Sequence, residues 1–160
     1  MTHYNKPKSF HEKNPEEICR DLSFLADPFQ SNVRNFLEDM ERVYWMHQSE
    51  TWRADSRQEL LYNNTDTTRV VRSMHQDGLA VDLFFADPLR VGQNYPPTWT
   101  KDGLKFWKTA ARRAKKYHIR NLGEMYPNFG DWNHFEHDEI SYQKSKRLRR
   151  LFSLGWLFNK

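Results

Sequence analysis

Cysteine is almost missing from this sequence: Cys19 is the only one in 160 residues. An internal disulfide is therefore impossible, and so is a thiolate zinc site within one chain, which needs several cysteines. Any bound metal must rest on His and carboxylates. Long apolar runs are missing too, and none approaches the ~20 residues of a membrane span. The opening MTHYNKPKSFHEKNPEE holds no apolar core of the kind a secretory signal requires. The expectation is a protein made in the cytosol. No internal repeat, low-complexity linker or shift of composition divides the chain, so residues 1–160 read as one domain.

Large rings and charge are plentiful. Aromatic residues make up 15%, with six Trp and eleven Phe, and charged residues 29%. A core built from rings inside a soluble protein follows, in keeping with a mean hydropathy of −0.97. The net charge of +4 and a pI near 9.2 favour anionic partners: nucleic acid, anionic lipid or an acidic cell-wall polymer. The charge is gathered in two clusters, Arg112 to Lys116 and Lys144 to Arg150. The first reads as the solvated face of a helix. The second lies in a basic amphipathic tail, 144–160, which would either dock on the domain or lie on an anionic membrane or lipopolysaccharide surface.

Apolar spacing predicts a helix over Asn14–Leu25, opened by Asn14, Pro15 and Glu17 as capping residues. A second is predicted from about Gln30 to Tyr44, a short one at SRQELLY, and a third through TKDGLKFWKTAARRAKKY. LAVDLFF, entered through Gly78, reads as a buried strand, and DWNHFEH as another. DPLRVGQNYPP reads as a long loop. Helices on both sides of a few short strands give a single α+β domain.

The chemistry lies in the ionisable residues of those two strand segments. Of seven His, His3 and His11 fall in a polar N-terminal stretch, and His47 and His118 stand apart from other ligand types. His75, His134 and His137 remain. Strand alternation puts His134 and His137 on opposite faces, so one of them is expected to serve. Asp82 sits inside an apolar strand, where an unpartnered carboxylate costs several kcal/mol. It must meet a metal or an Arg. A hydrolytic zinc site needs three protein ligands and an open position. His75, Asp82 and His134 would supply the three, and Asp131, three residues before His134, would take a proton from water. A lone His beside a Gly is more often a turn residue, and DWNHFEH alone could be an edge strand. Together the two segments are far more specific.

SMHQDGLAVD fits Ser-x-His-x-x-Gly-x-Ala-x-Asp at Ser73, His75, Gly78, Ala80 and Asp82, and DWNHF fits an acid-x-x-His motif downstream. ETWRADSRQELLY, with Trp52, Arg53, Ala54 and Gln58, fits an upstream aromatic-Arg-small segment. From about Phe29 to Glu136 the chain resembles the peptidoglycan metallopeptidases that group D-Ala-D-Ala carboxypeptidases and dipeptidases with phage L-alanyl-D-glutamate endopeptidases. The resemblance implies the hedgehog/DD-peptidase fold, a short antiparallel sheet flanked by helices. It implies Zn2+ held by His75, Asp82 and His134, and Asp131 as general base. It places Arg53 near the scissile carbonyl, with Gln58 and Trp132 on the substrate side and Ser73 either bonding the substrate or orienting the site.

Asp rather than Glu as the base, followed by Trp and then His-Phe, looks more like the phage endopeptidase branch. Ala54 replaces a more usual Ser or Pro, and the stretch between Tyr62 and Ser73 is short and lacks the customary Gly. The expectation is a monomeric phage or prophage endolysin. It would wait in the host cytoplasm until released, then cut the L-Ala–D-Glu bond of peptidoglycan in the periplasm. The alternatives are a D-Ala-D-Ala carboxypeptidase with the same site and a non-catalytic wall-binding module. Asp131 and Arg53 count against the module. Nucleic acid is not expected as a partner, because DNA binding gives no reason for the ordered His75, Asp82, Asp131 and His134 set.

Overall fold

A computed structural model describes residues 16–64, 68, 70, 72–85, 101–128 and 130–139. Four strands, β1 (Met46–Glu50), β2 (Ala80–Phe85), β3 (Ile119–Asn121) and β4 (His134–His137), form one antiparallel sheet in the order β1-β2-β4-β3. Helices α1 (Phe29–Glu41), α2 (Asp55–Asn64), α3 (Lys101–Ala114) and the short α4 (Leu122–Met125) surround it. The α+β class and the short antiparallel sheet are as expected from the sequence. The 87–97 loop and the 144–160 tail lie outside the described residues.

Strand alternation gives the sheet two unlike faces. Val81, Leu83, Phe135 and Ile119 form an apolar one, fully buried. Against it pack α1, through Val33, Phe36 and Met40, and α3, through Phe106, Trp107 and Ala110. Phe135 meets Phe36 at 5.6 Å and Trp107 at 6.4 Å between ring centroids. These are ring separations at which aromatic pairs attract. On α3 the basic residues point outward as expected. Arg113 also binds Asp39 of α1 at 2.9 Å, and Lys115, just past the end of α3, binds Glu124 at 2.8 Å.

The other face is polar, and its register matters more. Asp82 of β2 stands opposite Glu50 of β1 on one side and His134 of β4 on the other. One row across three strands therefore carries Glu50, Asp82 and His134. The next row pairs Ala80 with Glu136 and Glu136 with Arg120. A bulge between Gln48 and Glu50 shifts the β1 register and turns Glu50 into the first row.

The predicted helix over Asn14–Leu25 is not formed in its described part, where only a 3₁₀ turn at Leu22–Phe24 appears. The carbonyl of Cys19 accepts from the Thr51 N–H at 2.8 Å and from its hydroxyl at 3.2 Å. A carbonyl committed to a distant segment is not available to a helical turn. Ile18 is exposed. The helix expected to reach Tyr44 ends at Glu41. Val43 is exposed, and Tyr44 instead folds its ring edge-on against Phe106 and Phe85.

Candidate metal and catalytic site

His75 lies on a 3₁₀ turn, Met74–Asp77, that the local sequence builds from both ends. At the start, the Ser73 hydroxyl accepts from the His75 N–H at 3.4 Å, and Gln76 returns a bond to the Ser73 N–H at 2.8 Å. This reciprocal pair is a capping box. At the end stands Gly78, with φ of 65°. A Cβ there would meet the Phe24 carbonyl oxygen at 2.8 Å and the Ala26 nitrogen at 2.9 Å. Gly78 is thus required by both conformation and space. The Ser-x-His-x-x-Gly spacing is a folding instruction for one turn.

That turn aims His75 at Asp82. The His75 Nδ1–H donates to the Thr51 carbonyl at 2.9 Å. A carbonyl can only accept, so in the neutral ring the proton sits on Nδ1 and Nε2 keeps its lone pair. Nε2 is buried without a hydrogen-bond partner, and it faces Asp82 Oδ1 at 3.3 Å. His134 Nδ1 reaches the same Oδ1 at 2.8 Å. One ligand atom from each of His75, Asp82 and His134 lies within 4.8 Å of the others. Two imidazole nitrogens and a carboxylate oxygen suit zinc, and the orphaned Nε2 is the kind of buried atom such an ion would satisfy. The three expected ligands come together. His137 does not join them: it packs on Phe29 across the sheet at 5.7 Å between ring centroids.

The charges show how tightly the group is coupled. Burial opposes ionisation of Asp82, but the two imidazoles outweigh it and hold the carboxyl well below its ordinary range. Burial likewise opposes the imidazolium of His134. The hydrogen bonds of Asp82 and Glu136 prevail, and its pKa is pushed up to about 10. A metal must therefore displace a proton from His134 Nδ1. Asp131 differs in kind. Burial, helped by the negative charges of Asp82 and Glu136, raises its carboxyl above the usual range despite the pull of His134 and His75. A raised pKa makes the carboxylate a stronger base, the direction a proton acceptor needs.

Arg53 is 6% exposed and lies at the edge of this group, its Nη2 being 3.8 Å from Asp82 Oδ2. Its guanidinium is held by Glu50, through Nε at 3.2 Å and through Nη2, and by the Gln58 amide oxygen at 2.9 Å. Glu50 also accepts from Arg57 Nε at 2.6 Å. Two Arg and one buried carboxylate thus form a single unit. Replacing Glu50 with Ala would leave two buried cations short of their counter-charge, a loss of roughly 3–5 kcal/mol. Denaturant unfolding of Glu50→Ala measures it, and a drop under 1 kcal/mol would show that water or another group neutralises the pair.

Two expected substrate-side residues take other places, and Ser73 takes the orienting one of its two expected roles. Gln58 is fully buried, and its amide nitrogen donates to the Val70 carbonyl at 2.6 Å, so it steadies Arg53 and has no free end for a ligand. Trp132 is a core residue, 5% exposed. It is packed so closely over Gly123 that a Cβ there would come within 2.5 Å of its ring. Ser73 caps the His75 turn, as described. His118, read as isolated, stands beside Asp138 and Glu139 in an exposed group.

Several supporting residues escaped the sequence reading. Asn121, fully buried, donates to the carbonyls of Trp132 at 2.7 Å and His134 at 3.2 Å, and caps α4 by accepting from the Glu124 N–H. It pins the turn that carries Asp131 and His134. The Asn-x-x-Glu spacing in NLGE was a visible helix-start signal. Glu50 and Arg57 were inside the quoted ETWRADSRQELLY, spaced around Arg53. Glu136 had no sequence signal beyond lying two residues from His134.

Neither the family models nor the curated proteins contain a match to the chain. Solved structures do. The LD-carboxypeptidase LdcB superposes with a TM-score of 0.52 at 17% identity, over 76% of this chain and 62% of that one. The L-Ala D-Glu endopeptidase ChiX of Serratia marcescens gives 0.48 at 18%, over 73% and 89%. The D,D-dipeptidase VanXYg gives 0.47 at 18%, over 83% and 59%. The chain thus spans less than two thirds of LdcB and VanXYg. The likeness to LdcB shows a shared fold, an α+β domain with a short antiparallel sheet.

Proposed function

We propose that this chain is a zinc peptidase that cuts the stem peptide of bacterial peptidoglycan, with the L-Ala–D-Glu bond as its target. The observation that carries the reading is the convergence of His75 Nε2, Asp82 Oδ1 and His134 Nδ1, next to a carboxyl, Asp131, whose pKa is raised. The peptidoglycan substrate is supported by the motif resemblance and by the peptidoglycan recognition of the fold neighbour LdcB. The choice of bond rests on the Asp-Trp-x-His-Phe form of the second motif, which also supports a phage lysis enzyme.

In this reading His75, Asp82 and His134 hold the ion. Zinc, when bound, supplies a Lewis acid that polarises a carbonyl and lowers the pKa of water to ≈ 7. Asp131 accepts the proton of the attacking water and delivers it to the departing amine. Arg53, clamped by Glu50 and Gln58, contributes a fixed positive charge beside Asp82. It would offset negative charge developing on the carbonyl oxygen, a type of contribution worth about 3 kcal/mol.

Digestion of purified Gram-negative peptidoglycan, with and without a chelator, tests the proposal by mass spectrometry of the products. Stem fragments beginning at D-Glu, lost on chelation and restored by zinc, are expected. Release of free D-Ala would keep the site and move the chain to carboxypeptidase action. No product from zinc-loaded protein would overturn the peptidase reading.

A further inference from the structure

We propose that Glu136, backed by Arg120, is a positioning residue that fixes the ring of His134 for metal binding. The inference rests on the zinc-site reading above and extends it to residues outside the ligand set. His134 is flanked on both sides by carboxylates. Its Nδ1 meets Asp82 Oδ1 at 2.8 Å, and its Nε2 meets Glu136 Oε1 at 3.2 Å. Only one of these nitrogens can serve the ion. Asp82 Oδ1 is also the oxygen that His75 Nε2 faces, so the ligand atoms converge on the Nδ1 side. Nε2 is left to Glu136, which does not belong to the metal-ligand group.

An ionised carboxylate accepts and does not donate, so Glu136 holds a proton on Nε2, and the proton that a metal displaces is the one on Nδ1. It also stops the ring from turning over. Glu136 is itself held. Its other oxygen, Oε2, accepts from Arg120 Nε at 3.0 Å and Nη2 at 2.7 Å. The sheet register supplies the order: Arg120 stands opposite Glu136, and Glu136 shares the face of β4 with His134. The chain from Arg120 to Glu136 to His134 does on one side of the ion what the Thr51 carbonyl does for His75 on the other. Partners of this kind typically change metal affinity by about 10- to 100-fold.

The test is a zinc titration of the full chain against a competing chromophoric chelator, for wild type, Glu136→Gln, Glu136→Ala and Arg120→Gln. Zinc affinity is expected to fall about 10- to 100-fold in Glu136→Ala and by less in the other two. A nitrogen–proton correlation spectrum of the metal-free chain gives a second readout that needs no activity. The His134 Nε2–H signal, protected in wild type, should be lost in Glu136→Ala. Arg120→Gln leaves Glu136 in place, so it keeps the comparison open if a Glu136 variant does not fold. Wild-type zinc binding with unchanged affinity in the folded variants would overturn this inference alone. A wild-type chain that binds no zinc would overturn the zinc-site reading and the inference with it.

Discussion

Replacing His134 with Ala is expected to abolish zinc binding and hydrolysis together. The substitution leaves His75 Nε2 and Asp82 Oδ1, and two donors rarely hold zinc in a site that must keep a position open. Asp82 would lose its 2.8 Å partner but would keep the Arg53 guanidinium at 3.8 Å. Glu136 would keep Arg120 at 2.7 Å. The polar face therefore retains partners for each carboxylate, and the fold should survive the change. Metal content after dialysis against buffered zinc, measured alongside thermal unfolding, separates the two effects. A folded variant with full metal content would remove His134 from the ligand set.

Asp131→Asn is expected to do the reverse: zinc content stays, and the rate of peptide cleavage falls by about 10²–10⁴-fold, the usual contribution of a positioned general base. The shape is nearly unchanged, but an amide cannot take up the proton. Stability should not suffer. Burial, with Asp82 and Glu136, acts against the charge on Asp131 and outweighs the pull of His134 and His75, so a neutral side chain fits the site. Single-turnover cleavage of a defined stem peptide by zinc-loaded variant and wild type makes the comparison. Near-normal turnover in Asp131→Asn would overturn the base assignment.

Much of the site was legible in the sequence because its ligands are tied to local structure. His75, Gly78 and Asp82 belong to one turn and the strand it feeds, and the physical demands on each are short-range. Ser73 must cap, Gly78 must take a positive φ, and Asp82 must find a partner inside an apolar strand. The second motif is equally local, with Asp131 and His134 at the two ends of one turn. Helix α3 was legible for the same reason, since apolar residues repeating along one face need only a partner to bury against.

What spacing cannot reveal is which residues face one another across strands. Glu50, Asp82 and His134 are distant in sequence and share one row only because β1, β2 and β4 pair in that register. The bulge in β1 that places Glu50 there leaves no mark in MHQSE. Other long-range contacts make Gln58 a support for Arg53 and pack Trp132 against Gly123. The segment around Cys19, expected as a helix, instead bonds to Thr51. The sequence by itself determined the donor atoms available: no thiolates beyond one, two spaced motifs, and a carboxylate buried in a strand. The tertiary structure decided which nitrogen of each His points inward and which carboxylate holds each ring and guanidinium. Those choices depend on long-range strand register, and local propensity carries no information about it.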